Sequence, residues 1–184
     1  MSETIDLRYP IGKLGDQKFN GKEPFNEDIK DALILDIQYC PNVLEQAVIN
    51  LDAHQLETPY RQDGWTVKQV VHHVADSHMN AYMRFKLGLT EDNPTIKTYE
   101  EAAWANLNDT ALLPINISLT LLHALHTRWV IILKNMDESD WQRTVFHPGH
   151  NKEVTLWSLL ATYAWHGRHH IAHITSLRER KGWN

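Results

Sequence analysis

Twelve of the 184 residues are histidine, and four of them crowd one short stretch, YAWHGRHHIAHI: His166, His169, His170 and His173. Histidine titrates near neutral pH and is the commonest metal ligand, so its positions decide more than its number. Residues four apart on a helix lie one turn apart on one face. Two pairs therefore have the geometry to grip one ion: His166 with His170, and His169 with His173. The same spacing underlies the H-E-x-x-H zinc sites. Here Gly167 stands where the glutamate of that motif would be, which removes its built-in base and speaks against metalloprotease chemistry.

Periodicity separates the two pairs. At 100° per residue, Leu156, Leu159, Leu160, Tyr163, Ile171, Ile174 and Leu177 define an apolar face. His170 falls roughly 50° from the centre of that face and His166 roughly 90°, with His169 and His173 farther round. The inner pair borders the core, where a site between helices would lie, and the outer pair falls on the flank. Spacing alone leaves open that His166 and His170 are only boundary histidines.

A second cluster sits in VVHHVADSHMN. His73 heads a stripe at helical spacing, Gln69, His73, Ser77, Asn80 and Arg84, which reads first as a solvated face. His78 lies among Val67, Val71, Val74, Tyr82 and Phe85 and reads as a core or interface histidine. The pattern does not choose between His72 and His73. Asp76 is a surface charge, a partner for a ligand imidazole, or a base. His54, His123, His126, His147 and His150 read as structural or surface residues, although His147 and His150, in FHPGHNK, have the loop setting to close over a site. Cys40 is the one cysteine. It reads as a small buried side chain, without the base or positive setting a nucleophile needs.

Four long helices are expected to carry these residues. The first spans about 26–51, with Pro41 inside it to kink or split it. The second starts at Thr66, an N-cap whose Gln69 completes a capping box, with Trp65 and Val70 in the hydrophobic-staple positions; Gly88 is placed to close it in the left-handed conformation. A connection follows, with a short helix around YEEAAWANL. The third helix covers about 117–135, and the β-branched residues around HPGHN suggest a hairpin or a long loop. The fourth runs from Thr155, as N-cap, to Lys181, with Gly182 as its stop. Residues 1–25, with Pro10, Gly12, Gly15, Gly21 and Pro24, read as an irregular arm on the body of a single domain spanning 1–184. The fold class is all-α, a four-helix bundle, an architecture that builds metal sites from facing helices.

Composition agrees. The chain is 42% apolar and 22% charged, ordinary for a globular protein. Its net charge of −5 supplies no basic face for nucleic acid. One cysteine permits no internal disulfide. The polar start MSETIDLRYP lacks a secretion signal, and no stretch is read as a bilayer span. A cytoplasmic protein, with no membrane partner, is expected.

LRYPIG, TPYR, GWTVKQVVHHVADSHMNAYMRFKL, WHGRHHIAHI and the terminal GW together resemble the YfiT-like branch of the DinB superfamily, over nearly the whole chain. Members carry the name "putative metal-dependent hydrolase", and some act as bacillithiol S-transferases. The resemblance implies an up-and-down four-helix bundle, a homodimer, and a three-histidine site holding zinc or nickel. The family ligands fall on the second histidine of HHVADSH, His73, and on the first and fifth residues of WHGRHH, His166 and His170. Arg168, between them, acquires no role.

Three neutral imidazoles leave a divalent ion its full charge and an open position, the layout of a catalytic site. Such an ion acidifies a bound water or a bound thiol. The resemblance favours the thiol: transfer of a low-molecular-weight, bacillithiol-like thiol to an electrophilic substrate, with Ser77, Asn80 and Arg84 orienting the thiol. Hydrolysis of an amide or ester, with Asp76 as base, is the alternative, and a non-enzymatic metal-binding stress protein the third reading. Trp104, Trp141 and Trp183 are candidate anchors of a dimer interface.

Overall fold

A computed structural model describes residues 6–183; the first five residues, part of the start read as lacking a secretion signal, and Asn184 lie outside the described residues. Four long helices dominate: α1 (Glu27–Val48), α2 (Val67–Thr90), α3 (Ile115–Lys134) and α4 (Leu156–Lys181). A two-stranded antiparallel hairpin, β1 (Thr144–His147) and β2 (Lys152–Thr155), pairs Thr144 with Thr155 and His147 with Lys152. Short helical turns at Ala53–Leu56, Glu101–Trp104, Asn108–Leu112 and Glu138–Trp141 punctuate the connections.

The helix starts follow from local chemistry. Thr66 accepts from the Gln69 amide while the Gln69 side chain accepts from the Thr66 N–H, closing the capping box. Thr155 caps α4 through the Ser158 amide, and Gly182 ends it at φ +64°. Gly88 does not end α2, which continues through Thr90. Its role is packing: a Cβ there would sit 2.8 Å from Leu156 Cδ2 and 3.2 Å from Val145 Cγ1. Pro41 does not split α1, which runs through it. The carbonyl it leaves without a helix donor, that of Ile37, receives a hydrogen bond from His126 of α3.

α1 and α2 each pack on both α3 and α4. Asp36 meets Arg168, and the Ala47 carbonyl meets Arg178, so α1 and α4 run parallel. Ile37 meets His126 and Glu45 meets His123, so α1 and α3 are antiparallel. His72 meets Ser118 and His78 meets His126, so α2 and α3 are parallel. Arg84 reaches back to Tyr163, so α2 and α4 are antiparallel. The directions are up, down, down, up. The four-helix bundle stands as expected, but its helices do not alternate as an up-and-down chain would. A parallel neighbour needs a long return, and residues 91–114 supply it between α2 and α3.

The core has two apolar clusters, one around Phe85, Trp129, Trp141, Trp157 and Leu160, the other around Leu44, Val70, Val71, Val74, Leu122 and Ile174. Between them, at one level of the bundle, every neighbouring helix except α1 contributes histidine: His78 from α2, His126 from α3, His166 and His170 from α4. Trp141 is fully buried and so is no interface anchor. The exposed apolar stripe is Leu35, Tyr39 and Val43 on α1. α3 does reach the length and apolarity of a bilayer span, contrary to the expectation from sequence. Its Leu119, Leu122, Trp129, Val130 and Leu133 are buried in the bundle.

The N-terminal arm is irregular and lies on α4. The Trp165 indole donates to the Gly12 carbonyl, Trp157 to that of Glu23 and the Ser158 hydroxyl to that of Gly21. Gly21 sits at φ +80° with Ser158 Cα only 2.6 Å from where a Cβ would stand, so the crossing requires glycine.

Candidate metal centre

His73 arrives from the second turn of α2, and His166 and His170 from one face of α4. The three place one ring nitrogen each within 4.8 Å of the others. His73 Nε2 lies 3.3 Å from His166 Nε2. Two nitrogens bound at roughly 2.0–2.1 Å in a tetrahedral array stand about 3.3–3.4 Å apart, so the pair already has the edge length of such a site. Ring centroids are 4.7 Å apart for His73 and His170 and 4.4 Å for His166 and His170.

The rings are neutral at physiological pH. Burial, helped by the charge of His173, pushes His73 down to about 4. Burial, and then the neighbouring imidazoles, hold His166 and His170 well below the ordinary histidine range. Neutral imidazoles with free lone pairs are what a divalent ion requires. The donor set fits zinc or nickel alike.

Several sequence expectations change. The His73 stripe is not a solvated face: His73 is 2% exposed and Ser77 5%. Packing between α2 and α4 overrides its polar periodicity. His72 points elsewhere, its Nδ1 2.8 Å from Ser118 Oγ on α3. Asp76 makes no hydrogen bond to a ligand imidazole among the described residues; burial, then Asp109, pushes its carboxyl up to about 6. Arg84 is engaged by the Tyr163 hydroxyl at 2.6 Å and by the Lys97 carbonyl. Arg168, unassigned from sequence, bonds Asp36 of α1 at 2.7 Å. Gly167 lacks a side chain because a Cβ would meet Cys40 Sγ at 2.8 Å, so no glutamate fits there. His147 and His150 stack on one another in the hairpin turn, with no contact to the three histidines among the described residues.

Spacing gave no sign of the neighbours that shape the site. Trp65 covers it, 4.6 Å from the His73 ring and 6.4 Å from His170. His78 and His126 lie behind it. In front, a cavity of about 380 Å³ opens beside His170, lined also by Arg8, Tyr60, Arg61, His169 and His173. His169 and His173, expected on the flank, are buried there, stacked on Trp165 and Tyr60. They form with His170 a second close trio, in a cavity where the Arg8 and Arg61 guanidinium groups stand with the Asp63 carboxylate.

A profile of the DinB superfamily matches residues 37–174. A Bacillus cereus AH820 protein named "Putative metal-dependent hydrolase" is 53% identical over 178 residues, covering 97% of this chain and 99% of its own length. A protein of the same name from Bacillus anthracis A0248 matches to the same extent. The structure of YfiT from Bacillus subtilis, described as "a probable metal-dependent hydrolase with an unusual four-helix bundle topology", superposes with a TM-score of 0.92 at 44% identity, covering 98% of this chain and 100% of that one. On these grounds the chain belongs to the YfiT-like branch of the DinB superfamily.

Proposed function

We propose that the chain is a metal-dependent transferase that activates a low-molecular-weight thiol of the bacillithiol type for attack on an electrophile. The observation that carries this reading is the ligand set: three neutral imidazoles, two buried and that of His166 half-buried, with a ligand-sized cavity beside His170. His73, His166 and His170 would hold a zinc or nickel ion, whose charge would acidify a thiol or water beside it, so that no protein base would be needed to ionise the thiol at neutral pH.

The chain's own residues do the rest. Trp65 and the flanking apolar clusters keep bulk water from the rings. Arg61, which donates to the Gln62 carbonyl and lies over Tyr60 with its guanidinium 5.4 Å from the ring centre, lines the cavity and takes the role of anchoring an anionic part of the thiol. That role passes from Arg84, which does not line this cavity. In the reaction a carbon–sulfur bond forms, the electrophile's leaving group departs with its electron pair, and the thiol proton passes to solvent.

The second reading is metal-assisted hydrolysis. It draws on the relatives' name and on Asp76, whose carboxyl is held near 6 on the helix that carries His73. The deciding experiment is conjugation of a chromogenic electrophile by metal-loaded protein with bacillithiol, glutathione, cysteine or no thiol. Metal-dependent turnover that prefers bacillithiol is expected. Thiol-independent ester or amide cleavage, lost in Asp76→Asn, would replace the transferase reading with the hydrolase.

A further inference from the structure

Behind the metal site three histidines form a chain whose hydrogens are fixed at one end. The Ile37 carbonyl has no helix donor because residue 41 is proline. His126 Nδ1 lies 2.5 Å from that oxygen. A carbonyl only accepts, so the hydrogen is on His126 Nδ1, and the neutral ring then carries a lone pair on Nε2. His78 Nδ1 stands 2.8 Å from that lone pair, so the hydrogen between them belongs to His78 Nδ1. His78 Nε2 is then a lone pair in turn, 3.3 Å from His166 Nδ1, which donates to it. That leaves the lone pair of His166 on Nε2, the atom facing His73.

We propose that Pro41, His126 and His78 fix the proton order of this chain and so present the Nε2 lone pair of His166 to the metal before it binds. The proposal rests on the three-histidine metal reading. The opposite tautomer of His166 would set two lone pairs against each other across 3.3 Å, an unpaired arrangement that is costly where the pair is partly buried. His78 and His126 touch no ion and are positioning residues, the outer partners that orient ligand histidines at metal sites. Cys40 lies close to both. The 2.8 Å approach of their nitrogens is a hydrogen-bond distance, shorter than the separation of about 3.3 Å that two nitrogens sharing one ion adopt. His78 and His126 are therefore joined by a hydrogen bond and are not spaced to share a second metal ion.

The test starts with ¹⁵N-labelled, metal-free protein. Long-range ¹H–¹⁵N correlation of the imidazole rings reads the tautomer of each histidine without reference to metal or activity. His126, His78 and His166 are expected as Nδ1–H; Nε2–H at His78 or His166 overturns the proposal. His126→Phe removes the acceptor for His78. His166 should then populate Nε2–H, and affinity for Zn²⁺ and Ni²⁺ should weaken by about 10–100-fold. His126→Gln, whose NH2 can donate to the Ile37 carbonyl and whose carbonyl oxygen can accept from His78, should restore the affinity. A folded H126F with unchanged affinity and an unchanged His166 tautomer overturns the proposal, as does binding of a second metal equivalent lost in Cys40→Ala.

Pro41→Ala is the second variant, since it restores a helix N–H and leaves all three histidines in place. Its new donor competes for the Ile37 carbonyl, and the Nδ1–H population of His126 should drop; an undiminished population removes Pro41 from the device. Wild-type protein that shows the proton order but binds neither ion would refute the metal reading and leave the proton order itself established.

Discussion

The histidines on the two sides of the candidate metal centre are equally buried and differently satisfied. On the core side, both nitrogens of His126 and both of His78 have partners. On the cavity side, the Nδ1 atoms of His169, His170 and His173 are buried without a partner among the described residues. Burying an unpaired polar atom costs about 1–3 kcal/mol, so the two sides do different things for the molecule. The core side is finished when the chain folds. The cavity side keeps unspent bonding capacity where a ligand arrives.

The largest effects should fall between the two sides, at the three proposed ligands. His73→Ala, His166→Ala and His170→Ala should each weaken Zn²⁺ binding by more than about 100-fold, beyond what loss of an outer partner does. His169→Ala and His173→Ala should leave one equivalent bound within about tenfold. Calorimetric titration separates the cases. Loss of binding in the His169 and His173 variants alone would move the metal to the outer trio.

Stability should divide the two sides by sign. His126→Phe strands the Ile37 carbonyl and the His78 donor and should cost about 2–4 kcal/mol. His169→Phe keeps a ring against Trp165, 4.5 Å away, and deletes an orphaned nitrogen. It should change stability by less than about 1 kcal/mol in either direction. Urea unfolding of both variants breaks the comparison if the two costs are equal.

The pH dependence sharpens it further. Burial is the main cause holding folded His126 down to about 4, against 6.5 as its ordinary value. The unfolded chain then binds the extra proton between those values. The stabilisation is complete above pH 6.5 and is lost as pH falls toward 4, by about 3 kcal/mol for this one residue. Asp76, held up at about 6 in the fold, works in the opposite direction over the same range and offsets part of the loss. The net slope should follow the more numerous histidines. H126F should unfold less steeply with acid than the wild type between pH 6.5 and 4, read by thermal melts.

Much of this was legible before any coordinates. The Thr66 and Gln69 box, the Thr155 cap and the Gly182 stop are local chemistry, and each appears where its residues ask for it. The leucines placed the inner pair on α4 at the edge of the core, but they did not show that His169 and His173 are buried as well. What could not be read was set by contacts between distant segments. Helix direction depends on how far residues 91–114 return, and polar periodicity does not report that. His73 looked solvated because its stripe is polar, and only the α2–α4 contact shows that the stripe is lined up with His166 and Tyr163. Gly88 carried the signature of a stop and serves as clearance for Leu156. Pro41 was visible as a missing donor, but its consequence required knowing that His126 packs opposite Ile37.

Arg168 marks the outer limit of the comparison and the smallest expected effect. It lies between two ligands in sequence, the position where a functional role is easiest to assume. Its side chain leaves the site and bonds Asp36 at 2.7 Å, with side chains 41% and 29% exposed. Ion pairs this open to solvent contribute about 0–1 kcal/mol. Burial is the main cause holding the Asp36 carboxyl above its ordinary range, and Arg168 opposes it, so desolvation consumes part of even that gain. Arg168→Met keeps the apolar stem against α1 and removes the charge. It should lower stability by less than about 1 kcal/mol, and leave Zn²⁺ affinity where it was. A large loss of affinity in this variant would mean that the α1–α4 contact, and not only the histidine chain behind His166, holds the ligand pair in place.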